Sequence, residues 1–99
     1  MLNILQLQTK VLSSKEQTLN YIEAYLKKFL HLQPDIVTLP EMFNCPYDNK
    51  SFLLYAEFEG DITYKFCQNL AKKYNIYLSA GSIPEKDAQN HLFNTAYVF

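Results

Sequence analysis

Arginine is absent from this sequence, and all nine basic residues are lysines. Proteins that grip nucleic acid normally carry a basic face, often with arginine forks on the phosphates. With a formal net charge of -1, the composition argues against a nucleic-acid partner. Cysteine is scarce: Cys45 and Cys67 do not make a disulfide framework, and a reducing, cytoplasmic setting is the expectation. No apolar run approaches the ~20 residues that cross a bilayer, so no membrane partner is expected. Met1 runs straight into a strand-like segment, without the basic start, apolar centre and small-residue cleavage site of a secretory signal. Glycine occurs only twice. What is present is a chain of 99 residues, 48% hydrophobic and 19% charged. Such values exclude a disordered tail or a polyelectrolyte, and the length fits one small domain or part of one. The last residues, Ala96-Tyr97-Val98-Phe99, are apolar, and natural domains rarely stop in the middle of a strand.

The pattern along the chain predicts the order β-α-β-loop-α-β-β. Leu2 to Gln8 reads as a strand. Ser13 and Ser14 stand three residues before Glu16 and Gln17, which is capping-box spacing in either register. A helix follows to about His31, with Leu19, Ile22, Leu26 and Phe29 on one face. Gln33-Pro34-Asp35 breaks it. Ile36 to Leu39 is a short, nearly all-apolar strand, of the kind buried on both faces of a sheet. Pro40 to Gly60 is irregular and aromatic, with turn formers at Asp48-Asn49, and loops of that length are usually functional. Asp61 caps a second helix, along which Ile62, Phe66, Leu70 and Tyr74 recur every four residues, ending at Asn75. Ile76 to Ser82 is a third strand, Ile83 to Asn90 a polar connection, and Leu92 to Phe99 a fourth strand that could pair with the third as a hairpin. Alternating strands and helices predict an α/β layer architecture.

In open α/β sheets, ligands bind beyond the carboxyl ends of the strands. The second strand runs into Leu39-Pro40-Glu41, which makes Glu41 the leading candidate for chemistry. Pro40 restricts both its own backbone and that of Leu39, and so aims the following residue. The apolar neighbours Leu39, Met42 and Phe43 are placed to desolvate the carboxylate, which would strengthen it as a base. A solvated loop glutamate fits the same spacing. Cys45 suggests a nucleophile beside a base, against the blander reading of a small half-buried hydrophobe. Cys67 falls in the helix face and reads as core. His31 and His91 lack ligand-like spacing, so no metal is expected. Lys72-Lys73 reads as a solvated helix end, and Glu85 as a surface residue. Asn94, inside an apolar strand, requires partners for its amide, in a structural hub or in a pocket.

Three segments together carry a resemblance. They are Pro34 to Phe43 (PDIVTLPEMF) with Cys45-Pro46-Tyr47, then Ala56-Glu57 with Gly60, then Gly81 to Glu85 (GSIPE) with Asn94-Thr95-Ala96. In this order and spacing they resemble the amino-terminal part of the carbon-nitrogen hydrolase (nitrilase) superfamily, most closely its ω-amidase branch. The resemblance implies a fold that is the amino-terminal part of a four-layer α-β-β-α sandwich, usually associating as dimers or larger oligomers, with a homodimer expected for the full-length protein. It also implies a Glu-Lys-Cys mechanism without cofactor or metal, acting on small carboxamides such as 2-oxoglutaramate and 2-oxosuccinamate. Glu41 matches the family's general base. The family's lysine and nucleophilic cysteine belong to Arg-Lys and Cys-Tyr-Asp segments that are not among these residues. Cys45, Cys67, Lys72 and Lys73 do not replace them. Phe43 and Tyr47, following Glu41 in the same loop, are candidates for lining the substrate pocket.

The sequence thus predicts residues 1–99 to be one partial domain, holding the general base and inactive as an amidase by itself. A small non-catalytic α/β interaction module stands as the alternative. Other branches of the superfamily (nitrilase, carbamoylase, a glutamine-hydrolysing domain) remain open, because substrate choice depends on residues elsewhere.

Overall fold

A computed structural model describes residues 1–99. Its framework is a parallel sheet of three short strands, β1 (Ile4–Gln6), β2 (Ile36–Thr38) and β3 (Tyr77–Ser79), in the spatial order β1-β2-β3. The register sets Leu5, Val37 and Leu78 side by side on one face. Helices α1 (Lys15–Lys27) and α3 (Ile62–Tyr74) contribute Leu19, Ile22, Cys67 and Leu70 to the same buried cluster as Val37 and Leu78. Burial of such side chains stabilises the unit by about 1.5–3 kcal/mol each. Ile4 and Tyr77 are exposed on the opposite face. Sequence reading expected β2 to be covered on both sides, whereas helices cover only one here.

Local chemistry explains where the elements begin and end. Ser14, not Ser13, caps α1: its Oγ accepts the Gln17 N–H at 3.1 Å. The helix stops at Lys27 rather than near His31, and a separate 3₁₀ turn, Leu30–Leu32, leads to Gln33 in the left-handed region at φ 53°. The segment Pro40–Gly60, read as irregular, contains the seven-residue helix α2 (Asn49–Tyr55). Asp48, read as a turn former, is its N-cap, with Oδ1 accepting the Ser51 N–H at 2.7 Å. Turns and caps use the same residues for the same reason, a side-chain acceptor close to its own backbone.

Two further expectations change. On α3 the buried residues are Thr63, Cys67 and Leu70, while Ile62 stays exposed. A strict four-residue repeat drifts by roughly 40° per step around a helix of 3.6 residues per turn, so its two ends cannot share one face. The hairpin is also built differently. Ile83–Lys86, expected to be part of a polar connection, is strand β4, and it pairs antiparallel with β5 (Leu92–Thr95). Proline is tolerated there because, on the side of β4 away from β5, Glu57 pairs with the Pro84 carbonyl and the Lys86 N–H and needs no N–H from Pro84. The chain then returns to β3: Leu78 and Phe99 exchange both backbone hydrogen bonds at 2.9 Å.

Candidate active site

Glu41 stands on a rigid elbow just past the carboxyl end of β2. Leu39 continues the ladder, donating its N–H to the Ser79 carbonyl at 3.0 Å. Met42 takes the left-handed conformation at φ 50°, which costs a side-chain-bearing residue about 1–2 kcal/mol. It is held by Ser82, whose Oγ accepts the Met42 N–H at 3.0 Å and whose carbonyl accepts the Phe43 N–H at 3.3 Å. Gly81 makes this clamp possible. A Cβ there would lie 1.9 Å from the Pro40 carbonyl oxygen. Two segments 40 residues apart in sequence therefore meet at backbone distance and fix the direction of Glu41.

The carboxylate is exposed. Leu39, Met42 and Phe43 turn inward and are buried, so they do not desolvate it as sequence reading expected. Its partner is Asn94, whose Nδ2 donates to Oε2 at 3.0 Å. Asn94 also lines a cavity of about 240 Å³ with Met42, Tyr47, Phe52, Pro84 and Leu92. Tyr47 is exposed and packs edge-on against Phe52, with ring centroids 5.3 Å apart. Phe43 lies in the main core instead, 2% exposed, away from this cavity. The structure thus gathers Glu41, Tyr47 and Asn94 and sends Phe43 elsewhere.

Beneath the elbow runs a polar network that sequence reading did not anticipate. Glu57, 5% exposed, accepts the Thr63 N–H at 2.8 Å and the Thr63 hydroxyl at 2.5 Å. It pairs with Lys15 Nζ at 2.7 Å, and the fully buried Asn44 amide reaches Thr63 at 3.0 Å. Glu57 thereby caps α3, a role in which Asp61 makes no side-chain bond. Only the pairing of Ala56-Glu57 with Gly60 hinted at it in the sequence.

The other candidates fall outside the cluster. Cys45 is buried, donates to the Pro46 carbonyl at 3.2 Å, and has its thiol pushed up to about 11 by desolvation and then by Asp48. Burial, followed by the charge of Glu57, pushes Cys67 up to about 12. Neither thiol is poised as a thiolate. Lys73 pairs with Glu23 at 2.9 Å on the outside of the helices. Glu85 is half-buried rather than on the surface, and accepts a short hydrogen bond from the Tyr97 hydroxyl. His91 hydrogen-bonds Asp87 at 2.9 Å, and no group of three or more His, Cys, Asp or Glu residues is placed to hold a metal ion. No helix is long and apolar enough to cross a membrane.

Comparison with known proteins gives a consistent result. The pattern of the family described as carbon-nitrogen hydrolase matches residues 2–99. The chain is 42% identical to the omega-amidase NIT2 of Bos taurus over 94 residues, covering 94% of this chain and 33% of the relative. It is 35% identical to the omega-amidase NIT3 of Saccharomyces cerevisiae over 92 residues, covering 86% of this chain and 32% of the relative. The crystal structure of S. cerevisiae Nit3, described as a member of branch 10 of the nitrilase superfamily, superposes with a TM-score of 0.88 at 28% identity. That superposition takes in 99% of this chain and 39% of the other. A carbon-nitrogen hydrolase of Helicobacter pylori G27 superposes with a TM-score of 0.81 at 26% identity, over 99% of this chain and 35% of the other. The chain therefore spans about a third of the length of the curated relatives it matches.

Proposed function

This chain belongs to the carbon-nitrogen hydrolase family, and from that premise we propose that it forms the amino-terminal part of an ω-amidase-like hydrolase. Its fold is the amino-terminal part of the nitrilase sandwich. The proposed substrate is a small carboxamide of the 2-oxoglutaramate or 2-oxosuccinamate type, cleaved to the acid and ammonia. In this reading Glu41 is the general base, and Tyr47 is one wall of the pocket. The observation that carries the reading is Glu41 itself, exposed on a clamped elbow beyond a parallel strand, with its partner Asn94 lining a cavity.

The chemistry follows from that position. Glu41 takes the proton of a cysteine thiol supplied from outside residues 1–99. The sulfur attacks the amide carbon, and the carbonyl electron pair moves onto oxygen. A lysine, also from outside, balances the oxyanion, an interaction worth several kcal/mol. Collapse breaks the carbon–nitrogen bond, and ammonia leaves with the proton from Glu41. A thioester remains. Water attacks it as Glu41 removes the water's proton, the acid departs, and the thiol is restored. Enclosure of the exposed carboxylate falls to the remainder of the enzyme, which we also propose pairs as a homodimer in the cytoplasm.

The test compares the chain alone with the chain fused in frame ahead of the carboxyl-terminal two thirds of the yeast relative. The chain alone should release no ammonia from 2-oxosuccinamate, since loss of one member of such a catalytic unit removes nearly all of its rate. The fusion should release it, and Glu41→Gln should lower kcat by about 10²–10⁴-fold. Glu41-dependent ammonia release by the isolated chain would overturn the partial-domain reading. An active fusion indifferent to Glu41→Gln would remove Glu41 from its role and favour the non-catalytic interaction module.

A further inference from the structure

We propose that Asn94 is the positioning residue for Glu41, its side-chain amide holding the carboxylate by Oε2 so that Oε1 is left to exchange the proton. The proposal deepens the hydrolase reading and rests on it.

A carboxylate can only accept, and the Asn94 amide nitrogen can only donate. The 3.0 Å contact therefore has one chemical sense. It is charge-assisted, the stronger class of hydrogen bond. Both partners are exposed, where water competes for each, so the contact depends on how firmly the two backbones are held. Glu41 is fixed between Pro40 and the Ser82 clamp on Met42. Asn94 is fixed in β5, in register with Pro84 of β4. Ser82 immediately precedes β4, so one short stretch, Gly81 to Pro84, locates the backbone of Glu41 and the strand that carries its partner.

Selectivity for one oxygen matters chemically. A free glutamate side chain rotates and presents either oxygen in many directions. Within residues 1–99, Glu41 Oε1 accepts no hydrogen bond, whereas Oε2 is occupied by Asn94. A base held this way keeps one lone pair in a constant direction. Misplacement of a reacting group by about 1 Å can cost ~10²-fold in rate.

The lining of the cavity supports the same assignment. Asn94, Leu92 and Pro84, on one face of the hairpin, line it together with Phe93. Thr95 and Glu85 lie on the other, where Glu85 takes the Tyr97 hydroxyl. Asn94 is thus the polar side chain that β5 contributes to the cavity, and its one hydrogen bond to another side chain goes to Glu41.

Two measurements test this. In the ¹⁵N-labelled 99-residue chain, Glu41→Gln should shift the Asn94 side-chain amide signals more than those of any other asparagine. Asn94 signals that stay still in the variant, or move no more than those of the other asparagines, overturn the contact. In the fusion described above, Asn94→Ala should lower kcat about 10–100-fold with KM changed less than threefold. Asn94→Asp, nearly identical in shape but facing Glu41 with an acceptor in place of a donor, should lose at least as much. In the Glu41→Gln background, Asn94→Ala should add less than a twofold loss, because a residue acting through Glu41 has nothing left to position. Full additivity of the two losses, or Asn94→Asp at parent activity, overturns the positioning role while the hydrolase reading stands. A parent fusion whose ammonia release ignores Glu41→Gln overturns the hydrolase reading instead.

Discussion

Gly81 shows how much one side chain's absence can control. Both glycines have positive φ, 77° at Gly60 and 42° at Gly81, so alanine is strained at either. They differ in what surrounds them. A Cβ at Gly60 meets nothing within 4 Å, whereas one at Gly81 lands on the Pro40 and Leu39 carbonyls. Gly60→Ala should cost about 1 kcal/mol, from the backbone alone. Gly81→Ala should cost more, roughly 2–4 kcal/mol, because the elbow carrying Glu41 must move away. Urea midpoints for the two variants check the difference, and equal losses would mean that the 39–41 and 80–82 segments are not in close contact. The spacing Leu-Pro-Glu made Glu41 visible in the sequence, and the lone amide of Asn94 in an apolar strand marked it as needing a partner. That each is the other's partner was not legible. The two are 53 positions apart, and only the pairing of β4 with β5 brings them together.

At the scale of elements, the sequence is legible where one residue decides and obscure where several compete. Ser14, Pro34 and Asn75 act locally, and the ends of α1, β2 and α3 lie within a few residues of where those signals put them. Helix α2 was hidden because Asp48 signals a turn and a cap alike. The start of α3 depends on Glu57, which no local rule identifies. This carboxylate joins three elements: it caps α3 through Thr63, meets Asn44 after the elbow at 3.4 Å, and pairs with Lys15 at the start of α1. Glu57→Gln keeps the shape but removes the charge, leaving a largely buried Lys15 ammonium without its counterion. Breaking such a pair from one side costs about 3–5 kcal/mol when fully buried. Lys15 retains some exposure and a bond to the Tyr55 carbonyl at 2.8 Å, so roughly 2–3 kcal/mol is expected. Lys15→Met with Glu57→Gln should recover part of the loss. Chemical denaturation of the single and double variants measures this, and a double variant worse than the sum of both singles would contradict it.

For the whole molecule, the sheet has one covered face and one bare face. Ile4 and Tyr77 are exposed on the bare face, and Leu53, Leu54 and Phe93 are exposed elsewhere. Exposed apolar area of this kind favours association. The chain alone should self-associate in the high micromolar range, and Tyr77→Lys should weaken that association several-fold by sedimentation. A monomer at every concentration would show that the bare face is not sticky. Global stability should also fall in alkali, for a reason set by the core. Burial raises the Cys67 thiol from 9.0 to about 12 and the Cys45 thiol to about 11, and burial together with Glu85 raises the Tyr97 phenol. The folded chain therefore keeps these protons to higher pH than the unfolded chain does. Above pH 9 the unfolded chain binds fewer protons, so the unfolding free energy decreases as pH rises. The stabilisation is fully present below pH 9 and is lost progressively between about pH 9 and 12. Urea midpoints at pH 8, 9.5 and 11 should decline in that order. Cys67→Ala should begin lower at pH 8, through the lost packing, yet decline less steeply, since its unfolded state no longer gains a thiolate there. Parallel slopes for the two proteins would mean that the Cys67 thiol does not contribute to the alkaline loss.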